Sequence, residues 1–207
     1  IMASTAKKPE HLLNPRRAFV KRNGKKIVRK IAAFQSRQSK VPDTPKIDNA
    51  HFPFLSEFTD NWEAIREEAQ AVLKFRDTIP SFHEISPDQY RLSTESNWKT
   101  FVLFGFGQRL EKNASLAPKT AAILEKVPDL QTAMFSILAP GYHIPAHKGV
   151  TKGILRSHIG LIIPKAYGGK GFSASANSEI VMKLASRGSS AAIPVVVPNS
   201  LGPGELL

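Results

Sequence analysis

The chain has 207 residues, 42% of them apolar, and no uninterrupted apolar run of the roughly 18 residues that a membrane-spanning helix needs, so one globular domain with an arm or tail is expected. Cysteine is absent, which excludes disulfides, thiolate metal sites and a cysteine nucleophile, leaves any metal to His and carboxylates, and agrees with a reducing, cytoplasmic setting. The net charge of +12 is concentrated: residues 1–46 hold thirteen Lys and Arg against Glu10 and Asp43, whereas the remaining 161 residues hold sixteen basic and fifteen acidic groups.

Residues 1–46 therefore read as a basic arm, closed by the loop-like Val41-Pro42-Asp43-Thr44-Pro45. Its basic N-terminus is not followed by the apolar stretch of a secretory signal. Ile27, Val28, Ile31 and Phe34 recur at helical spacing among Lys25, Lys26, Arg29 and Lys30, a short basic amphipathic pattern. Two readings fit: a solvated leader, or a segment (residues 16–40) that lies peripherally on an anionic membrane surface or on nucleic acid. No aromatic platform or nucleic-acid motif accompanies the charge, so specific nucleic-acid reading is not expected.

Residues 47–164 have the composition of a folded domain. Thr59 is placed to cap a helix carrying Trp62, Ile65, Ala69, Val72 and Leu73 on one face. After the Ser86-Pro87 turn, Phe101-Val102-Leu103-Phe104 predicts a buried strand. Pro118 opens a second helix with Ile123, Leu124 and Val127 on its apolar side. Two strands follow, Thr132–Leu138 and Ile154–Ile163, separated by a loop containing Pro140, Gly141, Pro145, Gly149 and Gly153. Helices first and strands afterwards predict an α+β domain with the helices packed on a β-sandwich or barrel.

Residues 165–207 are rich in Ser, Ala, Gly and Pro and do not read as the second half of a β-core. Prolines at both ends of Val195-Val196-Val197 allow at most a short edge strand.

His143, His147 and His158 fall within sixteen positions. The first two have helical metal-site spacing, but Pro140, Gly141 and Pro145 argue against a helix there. On a strand, period two puts Arg156, His158 and Gly160 on one face and Leu155, Ser157, Ile159 and Leu161 on the other. An Arg and a His on an otherwise apolar strand need partners. Either Arg156 is satisfied by backbone carbonyls and His158 is a core histidine, or Arg156 holds an anionic ligand through two parallel hydrogen bonds.

The runs Met134-Phe135-Ser136-Ile137-Leu138-Ala139-Pro140-Gly141, Ile144-Pro145-Ala146-His147-Lys148-Gly149 and Leu155-Arg156-Ser157-His158-Ile159-Gly160-Leu161 together resemble the aspartyl/asparaginyl β-hydroxylase family. Asn97-Trp98-Lys99, Asn113 and Ala117-Pro118-Lys119-Thr120 add to the resemblance, which covers roughly residues 51–164. It implies a double-stranded β-helix, cupin-like, holding Fe(II) and using 2-oxoglutarate and O2 to hydroxylate an aspartyl or asparaginyl side chain of a protein, or a lipid acyl chain. His147 would be an iron ligand, and Ser136, Arg156 and His158 would hold the cosubstrate carboxylates. Gly149 stands where most such oxygenases place an acidic ligand, and His143 matches no ligand position.

The resemblance stops where the family's second iron histidine is expected: no histidine follows His158. The double-stranded β-helix is accordingly expected to be incomplete at its C-terminal side. A change of reading frame near residue 165, a truncation leaving an inactive remnant, or a divergent enzyme drawing its second ligand from elsewhere would each account for this. The alternative to an active hydroxylase is a non-catalytic protein that docks on a membrane or nucleic acid through its basic arm.

Overall fold

The computed structural model describes residues 26–34, 47–87, 95–142, 153–162, 179–187 and 195–196, with positions 24, 37, 39, 42, 44, 92, 93 and 144 besides. Residues 26–34 are helical. The domain then runs α1 (Ser56–Asp60), α2 (Trp62–Leu73), α3 (Phe82–Ile85), β1 (Trp98–Gly105), β2 (Gln108–Arg109), α4 (Glu111–Ala114), α5 (Pro118–Leu124), β3 (Leu130–Leu138), β4 (Ile154–Ile162), β5 (Glu179–Arg187) and β6 (Val195–Val196). No helix among the described residues is long and apolar enough to cross a membrane.

The predicted helix around Trp62 is α2, and Ile65, Ala69 and Val72, spaced i, i+4, i+7, form its buried stripe. Thr59 does not cap it. Its hydroxyl donates to the Ser56 carbonyl at 2.8 Å inside α1, while Asn61 stands at the start of α2 and donates back to the Glu57 carbonyl at 2.8 Å. A hydroxyl turned to the preceding turn cannot accept from the next helix, so the two short-range bonds end α1 instead.

Pro118 opens α5 as expected, and its cap comes from another helix. The Glu68 carboxylate on α2 accepts from Lys119 N (2.9 Å), Thr120 N (2.8 Å) and Thr120 Oγ1 (2.7 Å). A carboxylate at a helix N-terminus satisfies donors that have no partner inside the helix and meets the positive end of its dipole. Glu68 thereby ties α2 to α5 and gives the helical layer a fixed spacing.

The strands form a six-stranded sheet in the order β2-β1-β3-β5-β4-β6, antiparallel except for the parallel β4–β6 pair. The register of β1 on β3 shifts between Val102 and Phe104, and Asn113 Nδ2 donates to the Val102 carbonyl at 2.7 Å beside the bulge. One sheet face carries Phe101, Leu103, Ala133, Phe135, Ile137, Ile159, Leu161, Met182 and Leu184, which share a single core with the buried stripe of α2 and Leu124 of α5. Phe101 and Phe135 stack across β1 and β3, with centroids 6.3 Å apart and ring planes at 12°.

The α+β class holds. The described strands lie in one sheet, and the second facing sheet of a double-stranded β-helix is not among the described residues. The tail differs from expectation. Residues 179–187 form β5 and occupy the middle of the sheet, pairing with β3 on one side and β4 on the other. The reason is visible in the strand itself: Met182 and Leu184 alternate with Lys183 and Ala185, and the two apolar side chains are buried in the core. The Val run at 195–197 behaves as its flanking prolines require, contributing a two-residue strand at the sheet edge.

Candidate active site

The other face of the same sheet carries the residues singled out from the sequence as ligand-holding, Ser136, Arg156 and His158. Strand period two puts Trp98 and Thr100 of β1 on that face, opposite the face of Phe101. The register sets Thr100 against Ser136, Met134 against Lys183, Lys183 against His158, and Ala185 against Arg156. Ser136, His158 and Arg156 therefore share one face, as the sequence predicted for the latter two from strand period alone. Ser136 on β3 lies across Val181 of β5 from Gly160 of β4, so His158 sits two strands away from Ser136 and two residues along the sheet.

Ser136 is buried, and Trp98 Nε1 donates to its Oγ at 2.9 Å. The indole is itself fixed: Phe82 of α3 stacks on it with centroids 3.9 Å apart and planes at 13°, and Leu138 packs against it. The start of α3 is held by a Ser81–Glu84 capping box, so local helix chemistry sets where Phe82 presents its ring. Lys183 Nζ lies 4.7 Å from the centroid of the Trp98 ring, a cation–π contact with the indole that donates to Ser136.

Two further groups on this face lack a hydrogen-bond partner or a counter-charge among the described residues. Thr100, beside Ser136 and fully buried, has a hydroxyl without a hydrogen-bond partner among the described residues. An unmade bond of this kind costs about 1–3 kcal/mol. Arg156 is half-buried, and burial pushes its guanidinium below its ordinary pKa. No carboxylate among the described residues is paired with it. Because a guanidinium stays protonated in proteins, the desolvation is relieved by an anion and not by loss of the proton.

The arrangement suits a carboxylate ligand: buried hydroxyls at Ser136 and Thr100, a desolvated guanidinium at Arg156, an imidazole at His158 and an ammonium at Lys183. His147 and His143 lie outside the described residues. Among the described residues no group of three or more His, Cys, Asp or Glu side chains is placed to hold a metal ion.

Sequence reasoning missed Trp98, Thr100 and Lys183 as site residues. Trp98 and Thr100 carried a usable signal, being two apart on a strand that pairs with the strand of Ser136. Lys183 lay in the segment set aside as a tail.

The sequence profile described as Aspartyl/Asparaginyl beta-hydroxylase matches residues 59–181, more than half of the chain and as far as β5. An ornithine lipid ester-linked acyl 2-hydroxylase from Rhizobium tropici is 42% identical over 139 residues, taking in 67% of this chain and 50% of the relative. The aspartyl/asparaginyl beta-hydroxylases of Homo sapiens and Mus musculus are 33% and 31% identical over 127 residues, taking in 59% of this chain and 16% of each relative. The chain thus spans half the length of the rhizobial relative and a smaller part of the mammalian ones. By the extent of the profile match and the placement of its motifs, the chain belongs to the aspartyl/asparaginyl β-hydroxylase family.

Proposed function

We propose that this chain is the 2-oxoglutarate-binding part of an Fe(II)-dependent hydroxylase, built on a double-stranded β-helix, whose substrate is the acyl chain of a lipid. The observation that carries the reading is the desolvated Arg156 guanidinium, without a carboxylate partner among the described residues, on the same sheet face as Ser136 and His158. The higher identity to the relative named as a lipid acyl hydroxylase than to those named for aspartyl and asparaginyl side chains supports the lipid substrate.

In this reading Arg156 takes one cosubstrate carboxylate through parallel N–H donors, and Ser136 and His158 complete its hydrogen bonding. Trp98 fixes the Ser136 hydroxyl by donating to it, which leaves the serine proton free to donate to the ligand. Trp98, Phe82 and Leu138 form an apolar wall that keeps water from the bound diacid. His147 would supply an imidazole to iron, and a second protein ligand is not identified among the described residues. Bound iron with 2-oxoglutarate and O2 supplies the oxidising power for C–H hydroxylation, with succinate and carbon dioxide as coproducts.

The test is calorimetric titration of 2-oxoglutarate into the purified chain, with and without Fe(II), followed by assay of succinate. Saturable binding that is lost in Arg156→Met supports the reading. Failure of the wild-type chain to bind 2-oxoglutarate sinks it. Binding without succinate, even with iron and an ornithine-containing lipid, would favour the inactive-remnant reading, for which the absence of any histidine after His158 is the motivating observation.

A further inference from the structure

Residues 26–34 form a helix whose large apolar side chains face solvent. Ile27, Val28, Ile31 and Phe34 are 60%, 42%, 50% and 63% exposed. At about 100° per residue these four fall within an arc of roughly 120°. Lys26, Arg29 and Lys30 lie on the remaining circumference, all exposed, and the helix contains no acidic residue. A helix with one strongly apolar face, left open to water, gains nothing from folding alone, because the burial that normally stabilises an amphipathic helix is missing. None of the described residues covers it.

We propose that this helix docks in the plane of an anionic lipid surface, with Ile27, Val28, Ile31 and Phe34 in the headgroup–acyl boundary and the basic residues at the phosphate level. Charge complementarity singles out that occupant. The basic residues are not confined to the helix: residues 1–46 hold thirteen Lys and Arg against two acidic residues, so the charge extends well beyond both ends of the helix. A laterally extended anionic surface meets all of them, whereas a protein groove that takes the helix meets only those within it. Nucleic acid would also attract the charge, but phosphate contacts leave four large apolar side chains in water, and only Phe34 could stack on a base. The inference does not depend on the chemistry proposed for the sheet face, and either can fail without the other.

Co-flotation of the full chain with vesicles tests it, comparing pure phosphatidylcholine with phosphatidylcholine containing a quarter phosphatidylglycerol. The wild-type chain should float with the anionic vesicles, lose most of that binding in high salt, and bind neutral vesicles weakly. Replacing Lys26, Arg29 and Lys30 together by Gln should weaken partitioning on the order of a hundredfold, from about fivefold per basic residue at the surface. Ile31→Glu combined with Phe34→Glu should weaken it at least tenfold, with the thermal midpoint of the domain unchanged because neither residue belongs to the core. Amide exchange of residues 26–34 should slow on anionic vesicles and not on neutral ones. The proposal is overturned if the chain does not float with anionic vesicles, or if the Ile31→Glu, Phe34→Glu variant floats as well as wild type. It is equally overturned if the helix gains exchange protection only from duplex RNA or DNA.

Discussion

The two faces of the central sheet are made by the same strands at alternate positions, yet they do opposite work. On the helix-covered face, Phe101, Phe135, Ile159 and Met182 are buried together in one apolar cluster. On the other face, Ser136 is engaged by Trp98, Thr100 is buried with an idle hydroxyl, and Arg156 is desolvated without a counter-charge among the described residues. The first face lowers the free energy of the fold. On the second, the idle hydroxyl and the desolvated guanidinium raise it, a cost that the proposed anion would offset on binding. Adjacent residues on one strand, such as Phe135 and Ser136, can thus be judged by different criteria.

Substitutions on either face should break or sharpen that contrast. The largest effect on stability is expected from Phe135→Ala, which empties a fully buried site stacked on Phe101 and should cost about 3–5 kcal/mol in denaturant titration. Next comes Arg156→Met. Cosubstrate affinity should fall roughly a hundredfold, the scale of a lost charge-assisted pair, while the ligand-free thermal midpoint should hold or rise by about 1–3 °C. The sign follows from the lowered pKa. The charged form is disfavoured in the folded state, so below both pKa values the penalty is fully present, and it fades only as pH climbs into the guanidinium range. Across neutral pH the gain on removing the charge should therefore be flat. A large loss of stability in Arg156→Met would place Arg156 with the structural face and erase the distinction.

Ser136→Ala should be intermediate. It strands the buried Trp98 N–H and is expected to cost about 1–3 kcal/mol in addition to weakening 2-oxoglutarate binding, so it reads as damage on both axes. The smallest effect is expected for Thr100→Val, which removes an idle buried hydroxyl while keeping the branched shape. The ligand-free protein should gain about 1 kcal/mol, measured by chemical denaturation, and the gain should shrink in saturating 2-oxoglutarate if the hydroxyl serves the ligand. A destabilised Thr100→Val would mean that the hydroxyl is already satisfied, against the reading of this face as a site awaiting its ligand.

Much of this was legible in the residues. Period two in Leu155–Leu161 separated Arg156 and His158 from the core side chains, and the register across β5 bears that separation out. The apolar spacing of Ile65, Ala69 and Val72 marked the buried face of α2. Local chemistry misled at Thr59, where a hydroxyl had two backbone partners to choose from and took the one behind it. The cap of α5 was illegible for a different reason. Glu68 lies some fifty residues before the amides it binds, and no local pattern records such a pairing. The strand at 179–187 was hidden by its surroundings, since Ser/Ala/Gly-rich flanks mask four or five alternating positions. His147, on which the iron assignment turns, lies outside the described residues.

The strand order β3-β5-β4 also dictates a timetable. β3 and β4 precede β5 in the chain but do not pair with each other, so when a nascent chain has emerged through Ile162 both still present open hydrogen-bonding edges. Only the arrival of residues 179–187 closes the gap, joining β3 to a partner some fifty positions later in sequence. Such late, non-local closure slows folding and leaves open strand edges on both β3 and β4 for as long as synthesis takes to reach their partners. Ribosome-stalled chains ending before residue 179 should therefore recruit chaperones or aggregate, and chains extended past residue 187 should not.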